Sequence, residues 1–129
     1  MKTDRARKQI VLIDRQHSWL ERSAETLRLA GFDVATVGQY DYPPAVQGSS
    51  APSKLVILGC ASIGQDEFDL IKRIIEHKDH LLVLSTALSP HIMRTVFLVG
   101  ADDVTNKPYH PDHLITAVHQ VLRSIPLDD

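Results

Sequence analysis

Three polar side chains of different chemistry follow short apolar runs of the sequence. Asp14 directly follows the run IVLI, Ser85 directly follows LLVL, and Lys107 lies three residues beyond Val104, in a weaker run. If these runs are neighbouring parallel strands, the three side chains meet at the carboxyl ends of the strands, where ligands bind in open α/β sheets. A carboxylate and an ammonium at that edge either form an ion pair that stabilises the fold or, together with the hydroxyl, hold an anion.

The elements that would position these side chains alternate along the chain. Short β-branched runs such as IVLI, FDVATV, LVIL and LLVL are separated by longer amphipathic stretches, which is typical of repeated βαβ units. Most of the runs are nearly continuous in apolar character, as strands covered by helices on both faces are. Under the right-handed crossover rule, the pattern predicts an α/β, flavodoxin-like, doubly wound three-layer sandwich with a five-stranded parallel sheet in the order 2-1-3-4-5.

Several residues indicate where helices begin and end. Ser18, with Glu21 three residues later as in a capping box, predicts the start of the first helix, and Gly31 predicts its end. Pro90 suits the first turn of a later helix. The paired prolines restrict any helix in the irregular stretch before the third strand to a short one that begins near Pro44.

The bulk composition favours one cytoplasmic domain. The chain has 129 residues with 43% hydrophobic and 23% charged residues, and it contains no apolar run near the roughly 20 residues that a membrane span needs. We expect a basic leader at 1–8, the domain at 9–125, and a tail or the start of a linker at 126–129. The leader lacks the pattern of a signal peptide. A net charge of −2 gives no electrostatic indication of direct nucleic-acid binding.

The stretch GADDVTNKPY at residues 100–109 resembles the final strand, with its Lys-Pro dipeptide, of the receiver domain of two-component response regulators. The resemblance covers nearly the whole chain, from 9 to 125. Counting back from Lys107 places the family's Ser or Thr position on Ser85, and Gly31 falls where receivers end their first helix. The resemblance implies a signalling domain.

In receivers, an acidic pair after the first strand holds Mg²⁺, an aspartate after the third strand takes a phosphoryl group, and the Ser/Thr and Lys contact the phosphate. The resemblance assigns Asp14, Ser85 and Lys107 to three of these roles. The second acidic position is Arg15, a cation that repels Mg²⁺, and the acceptor position is Gly59, which has no carboxylate to phosphorylate. We therefore expect a degenerate phosphorylation site with no catalytic residue, no cofactor, and weak or absent Mg²⁺ binding. We also expect Arg15 to join the network and partly replace the charge of the metal.

For the cysteine and the histidines, the sequence favours structural roles over catalytic or metal-binding ones. Strand alternation turns Cys60 away from Gly59, so a buried thiol is favoured, and a single cysteine forms no intrachain disulfide. For Trp19, a core role and a contact role both remain open. Two pairs of histidines lack the cysteines or second pair of a structural zinc site, so no metal is expected there: His77 with His80, and His110 with His113.

The expected function is that of a pseudo-receiver, a non-enzymatic module that docks onto a sensor kinase, an output domain or a second copy of itself, without a membrane or nucleic-acid partner. In the family, the face formed by the fourth helix, the last strand and the last helix commonly mediates pairing. The switch and interface positions implied here are Met93, Val96, Phe97, Val104 and His119. Two alternatives remain: a conventional Mg²⁺-dependent phospho-receiver with a misaligned motif, and a small-ligand binder that uses the loop GCASIG, which lacks a phosphate-binding glycine pattern.

Overall fold

Five parallel strands form one sheet in the order β2-β1-β3-β4-β5, as predicted. The computed structural model describes residues 9–42 and 54–125, without the side chain at 54. The strands are β1 (Gln9–Ile13), β2 (Asp33–Val37), β3 (Lys54–Cys60), β4 (His80–Ser85) and β5 (Asp103–Asn106). The predicted leader at 1–8, the helix expected near Pro44 and the tail at 126–129 lie outside the described residues.

In the described part of the chain, four helices cover the two faces of this sheet: α1 (His17–Leu29), α2 (Gln65–Glu76), α3 (Pro90–Val99) and α4 (Pro111–Ser124). One core cluster joins α1 and α4 to the sheet, and a second cluster joins α2 and α3 to its other face. The central strands contribute fully buried leucine, isoleucine and valine side chains to both clusters, which explains their nearly continuous apolar runs. The three-layer arrangement is therefore confirmed. No helix in the described part of the chain is long and apolar enough to cross a membrane.

The helix boundaries confirm most of the predicted ends, and Ser18 is the exception. The helix α1 begins one residue earlier, after Gln16, whose side chain makes no capping hydrogen bond. Asp14 Oδ1 instead accepts a hydrogen bond of 2.8 Å from the Gln16 backbone N–H, which turns the chain into the helix before Ser18 is reached. Gly31 follows the end of α1 with φ +100°, a conformation that favours glycine.

The strand β3 extends two residues beyond the run LVIL and includes Gly59 and Cys60. These residues pair with Leu84 and Ser85 of β4. The sequence predicted a loop from Gly59 onward, because a glycine and a cysteine carry no strand signal of their own. The pairing fixes the backbone at the acceptor position, so the site is built on a strand.

Candidate functional site

A buried ion pair joins the carboxyl ends of β1 and β5. Lys107 Nζ lies 2.8 Å from Asp14 Oδ2, and only 9% and 3% of the two side chains are exposed. The other carboxylate oxygen, Oδ1, accepts the hydrogen bond from Gln16 N–H. Backbone hydrogen bonds hold both residues, because Asp14 N–H donates to the Val37 carbonyl and Lys107 N–H donates to the Ser85 carbonyl. Two of the predicted site residues are thus in direct contact.

The Lys107 ammonium has two more neighbours, one just before α1 and one on it. Its Nζ donates a hydrogen bond of 3.2 Å to Gln16 Oε1, and it lies 4.6 Å from the centre of the Trp19 ring. An ammonium over an indole face is attracted by the ring's quadrupole. The cation therefore faces a carboxylate, an amide oxygen and an aromatic ring at once.

The space beside Gly59 is filled by side chains from β1 and α1. A Cβ atom built at Gly59 would lie 2.9 Å from Trp19 Cζ3 and 3.2 Å from Asp14 Cγ, and closer still to Asp14 Oδ2. Real side chains do not approach this closely. The acceptor position therefore lacks a side chain and also lacks the room for one.

The Ser85 hydroxyl faces backbone carbonyls of the neighbouring loops. The residue is completely buried, and its Oγ lies 3.2 Å from the carbonyl oxygens of both Ala61 and Ala87. Because the hydroxyl has one proton, it donates to one of these oxygens at a time. Ser85 lies at the sheet edge where the sequence placed it, and its hydrogen bond holds the loops together.

Arg15 points away from the Asp14–Lys107 pair, so the expectation that it joins this network is wrong. Its guanidinium stacks over the Tyr40 ring, 3.7 Å from the ring centre, and lies 3.6 Å from Asp66 Oδ2. The side chain is 56% exposed. Successive residues leave a strand end in different directions, and an arginine is long enough to reach the start of α2.

The Tyr40 hydroxyl donates a hydrogen bond of 2.9 Å to Glu67 Oε2, and Gly64 N–H donates one of 2.8 Å to Glu67 Oε1. Burial, followed by the Glu67 hydrogen bond, raises the pKa of Tyr40 above its usual value. Arg15 therefore packs on a tyrosine that remains protonated and hydrogen-bonded to α2. The guanidinium charge interacts with Tyr40 and Asp66.

Cys60 is buried on the opposite face of the sheet from Trp19, in the cluster that contains α2 and α3. Its Sγ lies 3.8 Å from the Leu84 carbonyl oxygen, and burial raises the pKa of the thiol to about 11. The thiolate is the reactive form of cysteine. The structure therefore supports the structural interpretation of this residue.

The residues at the sheet edge do not fit a Mg²⁺ ion. Magnesium prefers several oxygen ligands, including carboxylates. Here the one carboxylate at the centre, Asp14, is paired with an ammonium, and positions 15 and 59 offer no oxygen ligand from a side chain. Within residues 9–42 and 54–125, no group of three or more His, Cys, Asp or Glu side chains is placed to hold a metal ion.

The five predicted switch or interface positions have different environments. Val96 and Val104 are buried in the α2–α3 core, so neither side chain is exposed to a partner, and a switch role for Val104 stays a prediction. Met93 is half-buried, and Phe97 is 44% exposed. His119 is exposed, but its ring lies 5.7 Å from that of Phe32 on the α1–α4 side of the sheet. Of the five, Phe97 is the exposed apolar side chain on the expected face.

Trp19 is the site residue that sequence reasoning left undecided. It is 8% exposed and belongs to the α1–α4 core, yet it also borders Gly59 and Lys107. The available signal was a glycine where a side chain is expected, together with a large ring on the next helix. The sequence pattern alone does not reveal that the Trp19 ring fills the space beside Gly59.

Comparisons with known proteins identify the class of fold. No protein-family model matches the chain. Among solved structures, the chain superposes on the non-phosphorylated HemR receiver domain from Leptospira biflexa with a TM-score of 0.77 at 20% identity, covering 95% of this chain and 99% of that one. It superposes on the chemotaxis protein CheY4 of Vibrio cholerae with a TM-score of 0.76 at 22% identity, covering 90% and 99%. The chain has the fold of a response-regulator receiver domain.

The chain is also similar in sequence to curated sensory transduction proteins. The sensory transduction protein RegX3 of Mycobacterium tuberculosis is 29% identical over 122 residues, which cover 93% of this chain and 53% of the relative. The sensory transduction protein BceR of Halalkalibacterium halodurans is 27% identical over 117 residues, covering 90% and 50%. The chain thus spans about half the length of the curated relatives it matches.

Proposed function

We propose that the chain is an atypical receiver domain of two-component signal transduction, a pseudo-receiver that acts by protein–protein interaction and is not phosphorylated on aspartate. The observation that carries the proposal is the closed site at Gly59. A phosphoryl group needs an acceptor carboxylate and room beside it, and this position has neither. The proposed domain is not an enzyme, uses no cofactor and works in the cytoplasm.

The charges around Gly59 support the same proposal. A working phosphoryl site needs positive charge that is free to approach the phosphate oxygens. Here the Lys107 ammonium is 2.8 Å from the buried Asp14 carboxylate, and Arg15 is stacked on Tyr40. The pair is electrically balanced without a ligand.

The alternatives have less support. A misaligned conventional receiver would need another aspartate at the end of β3, but that strand ends at Gly59 and Cys60. A ligand site in the loop GCASIG is weakened because its first two residues belong to the strand and the Cys60 thiol is buried. The proposed partner is a protein: a sensor kinase, an output domain or a second copy. Direct binding of nucleic acid or of a membrane is not part of the proposal.

Phosphorylation is tested with acetyl phosphate and Mg²⁺, followed by intact-mass spectrometry. We expect no added phosphoryl group on this chain under conditions in which a conventional receiver, run in parallel, is modified. A phosphoryl adduct that is lost at alkaline pH, as acyl phosphates are, would contradict the proposal.

The interaction is tested on the exposed apolar side chains of α3. Phe97 and Leu98 are 44% and 79% exposed. Leu29, which is 81% exposed on α1, provides a matched control on the opposite layer. Sedimentation velocity measures self-association, and Leu98→Ser should weaken it while Leu29→Ser should not. Self-association that is equally sensitive to both substitutions, or that requires acetyl phosphate, would contradict this use of the face.

A further inference from the structure

Trp19, the chain's single tryptophan, lies beside both the acceptor position Gly59 and the Lys107 ammonium. Its Cζ3 atom would be 2.9 Å from a Cβ at Gly59, and its ring centre is 4.6 Å from Lys107 Nζ. We propose that Trp19 is a built-in occupant of the space that an acceptor carboxylate would need. The inference rests on the proposed function and adds a second barrier to it: the site is closed by Trp19 as well as by the missing side chain.

The indole is a larger and stiffer neighbour for Gly59 than the end of a flexible side chain would be. Trp19 is 8% exposed and packs in the core between α1, α4 and the sheet, with Ile57, Leu84 and Leu114 in the same cluster. Protein cores are close-packed, so moving a rigid indole requires its neighbours to move as well. Core packing therefore holds the side of the indole that faces the sheet, while the ring also borders two surface grooves.

The opposite wall is fixed by hydrogen bonds and charge. Asp14 Oδ2 pairs with Lys107, and Oδ1 accepts from Gln16 N–H. A side chain introduced at Gly59 would meet this carboxylate on one side and the indole on the other. Restoring an aspartate at position 59 would therefore displace Trp19 or Asp14 before it could accept any ligand.

Trp19 also restrains the lysine that would contact a phosphoryl oxygen. The Lys107 ammonium lies against Asp14, Gln16 Oε1 and the indole face, at 2.8, 3.2 and 4.6 Å. Removing the indole leaves the ammonium with one side open toward position 59. The site is therefore closed by Trp19 of α1 as well as by the missing side chain at Gly59 of β3.

The experiment rebuilds the carboxylates with and without the indole. The variant Arg15→Asp/Gly59→Asp supplies the missing acids and keeps Trp19, and a second variant adds Trp19→Ala. Each is titrated with Mg²⁺ and then with beryllofluoride, a mimic of the phosphoryl group, while amide NMR follows Asp14, position 59 and Lys107. We expect saturable, Mg²⁺-dependent shifts only when Trp19 is replaced. A control variant carries Glu21→Ala, at an exposed position of α1, in place of the Trp19 substitution. This variant should show no saturable, Mg²⁺-dependent shifts.

Binding of beryllofluoride by Arg15→Asp/Gly59→Asp with Trp19 intact would overturn the inference, and so would silence of the folded Trp19→Ala combination. Binding by the unaltered chain would instead overturn the proposed function, so the two failures are distinguishable.

Stability provides a second test if the Trp19→Ala combination does not fold. Gly59→Ala is measured in the unaltered chain and in the milder Trp19→Leu background. The added Cβ meets the indole as well as the Asp14 carboxylate, which both backgrounds keep. Its effect on the unfolding equilibrium constant should therefore be about threefold smaller in the Trp19→Leu background. An equal effect in both backgrounds would overturn the inference.

Discussion

The buried ion pair between Asp14 and Lys107 predicts a large loss of stability when one partner is removed. In Lys107→Met, the apolar stem is retained while the ammonium is lost. Asp14 Oδ2 is buried and already makes no hydrogen bond among the described residues, so the substitution leaves it without the cation that lies 2.8 Å away. The substitution also removes the hydrogen bond to Gln16 and the contact with the Trp19 ring.

The magnitude follows from these three contacts. A hydrogen bond to a charged group contributes about 1.5–3 kcal/mol, and a cation over an aromatic ring contributes about 0.5–2 kcal/mol. Removing one partner of a buried ion pair generally costs about 3–5 kcal/mol, since the other charge is left uncompensated. We expect Lys107→Met to lower the free energy of unfolding by about 3 kcal/mol.

The assay is urea unfolding followed by the fluorescence of the single tryptophan. A double-mutant cycle with Asp14→Asn isolates the pairwise term, and we expect a coupling free energy of about 1–3 kcal/mol. The matched control is the ion pair of Arg15 with Asp66, whose atoms are 3.6 Å apart and whose side chains are 56% and 70% exposed. Asp66→Asn should cost under about 1 kcal/mol, because exposed pairs contribute little.

Two results would refute this reasoning. One is a loss below about 1 kcal/mol for Lys107→Met, comparable to that of an exposed ion pair. The other is an additive cycle, which would mean that Asp14 and Lys107 stabilise the fold independently. Either result would mean that the Asp14–Lys107 ion pair does not explain why the site is stable without a ligand.

The remaining predictions concern packing, the thiol and helix capping. Gly59→Ala should destabilise the fold by about 1–3 kcal/mol through overpacking. Gly38→Ala, whose Cβ would meet Leu20 alone among the described residues, at 3.9 Å, should be nearly neutral in the same urea assay. Cys60 should resist a thiol reagent at neutral pH in the native chain and react on unfolding; fast native labelling would contradict the burial. Burial raises the pKa of the Cys60 thiol from 9.0 to about 11. The contribution of the neutral thiol to the free energy of unfolding is therefore full below pH 9.0 and is lost as the pH rises through 11, measured as the difference between the unaltered chain and Cys60→Ala. Ser89 Oγ accepts from Ile92 N–H at 3.2 Å, so Ser89→Ala should cost about 1 kcal/mol, whereas Ser18→Ala should cost under about 0.5 kcal/mol; equal costs would contradict the capping assignment.

The fold was largely predictable because its signals are local and repeated. Apolar runs marked the central strands, and Gly31 and Pro90 marked a helix end and a helix start. The Ser18 prediction failed because a residue outside the capping pattern, Asp14, turns the chain first. The length of β3 was underestimated because pairing with β4, rather than residue type, carries the strand through Gly59.

The site was only partly predictable because its decisive contacts join distant parts of the chain. The register of the strands placed Asp14 near Lys107, and the structure confirms their contact. The direction of the Arg15 side chain depends on Tyr40 and Asp66, which sequence spacing does not bring together. The role of Trp19 depends on a gap left by a residue in another element, and no local pattern records such a gap.

The most direct test of the central claim is an amide NMR titration of the unaltered chain with Mg²⁺ followed by beryllofluoride. The claim is that the sheet edge at Asp14, Gly59 and Lys107 is closed and balanced without a phosphoryl group. We predict no saturable shifts at these three residues. Saturable shifts there that require Mg²⁺ would contradict the account, because they would mean that a functional phosphoryl site exists.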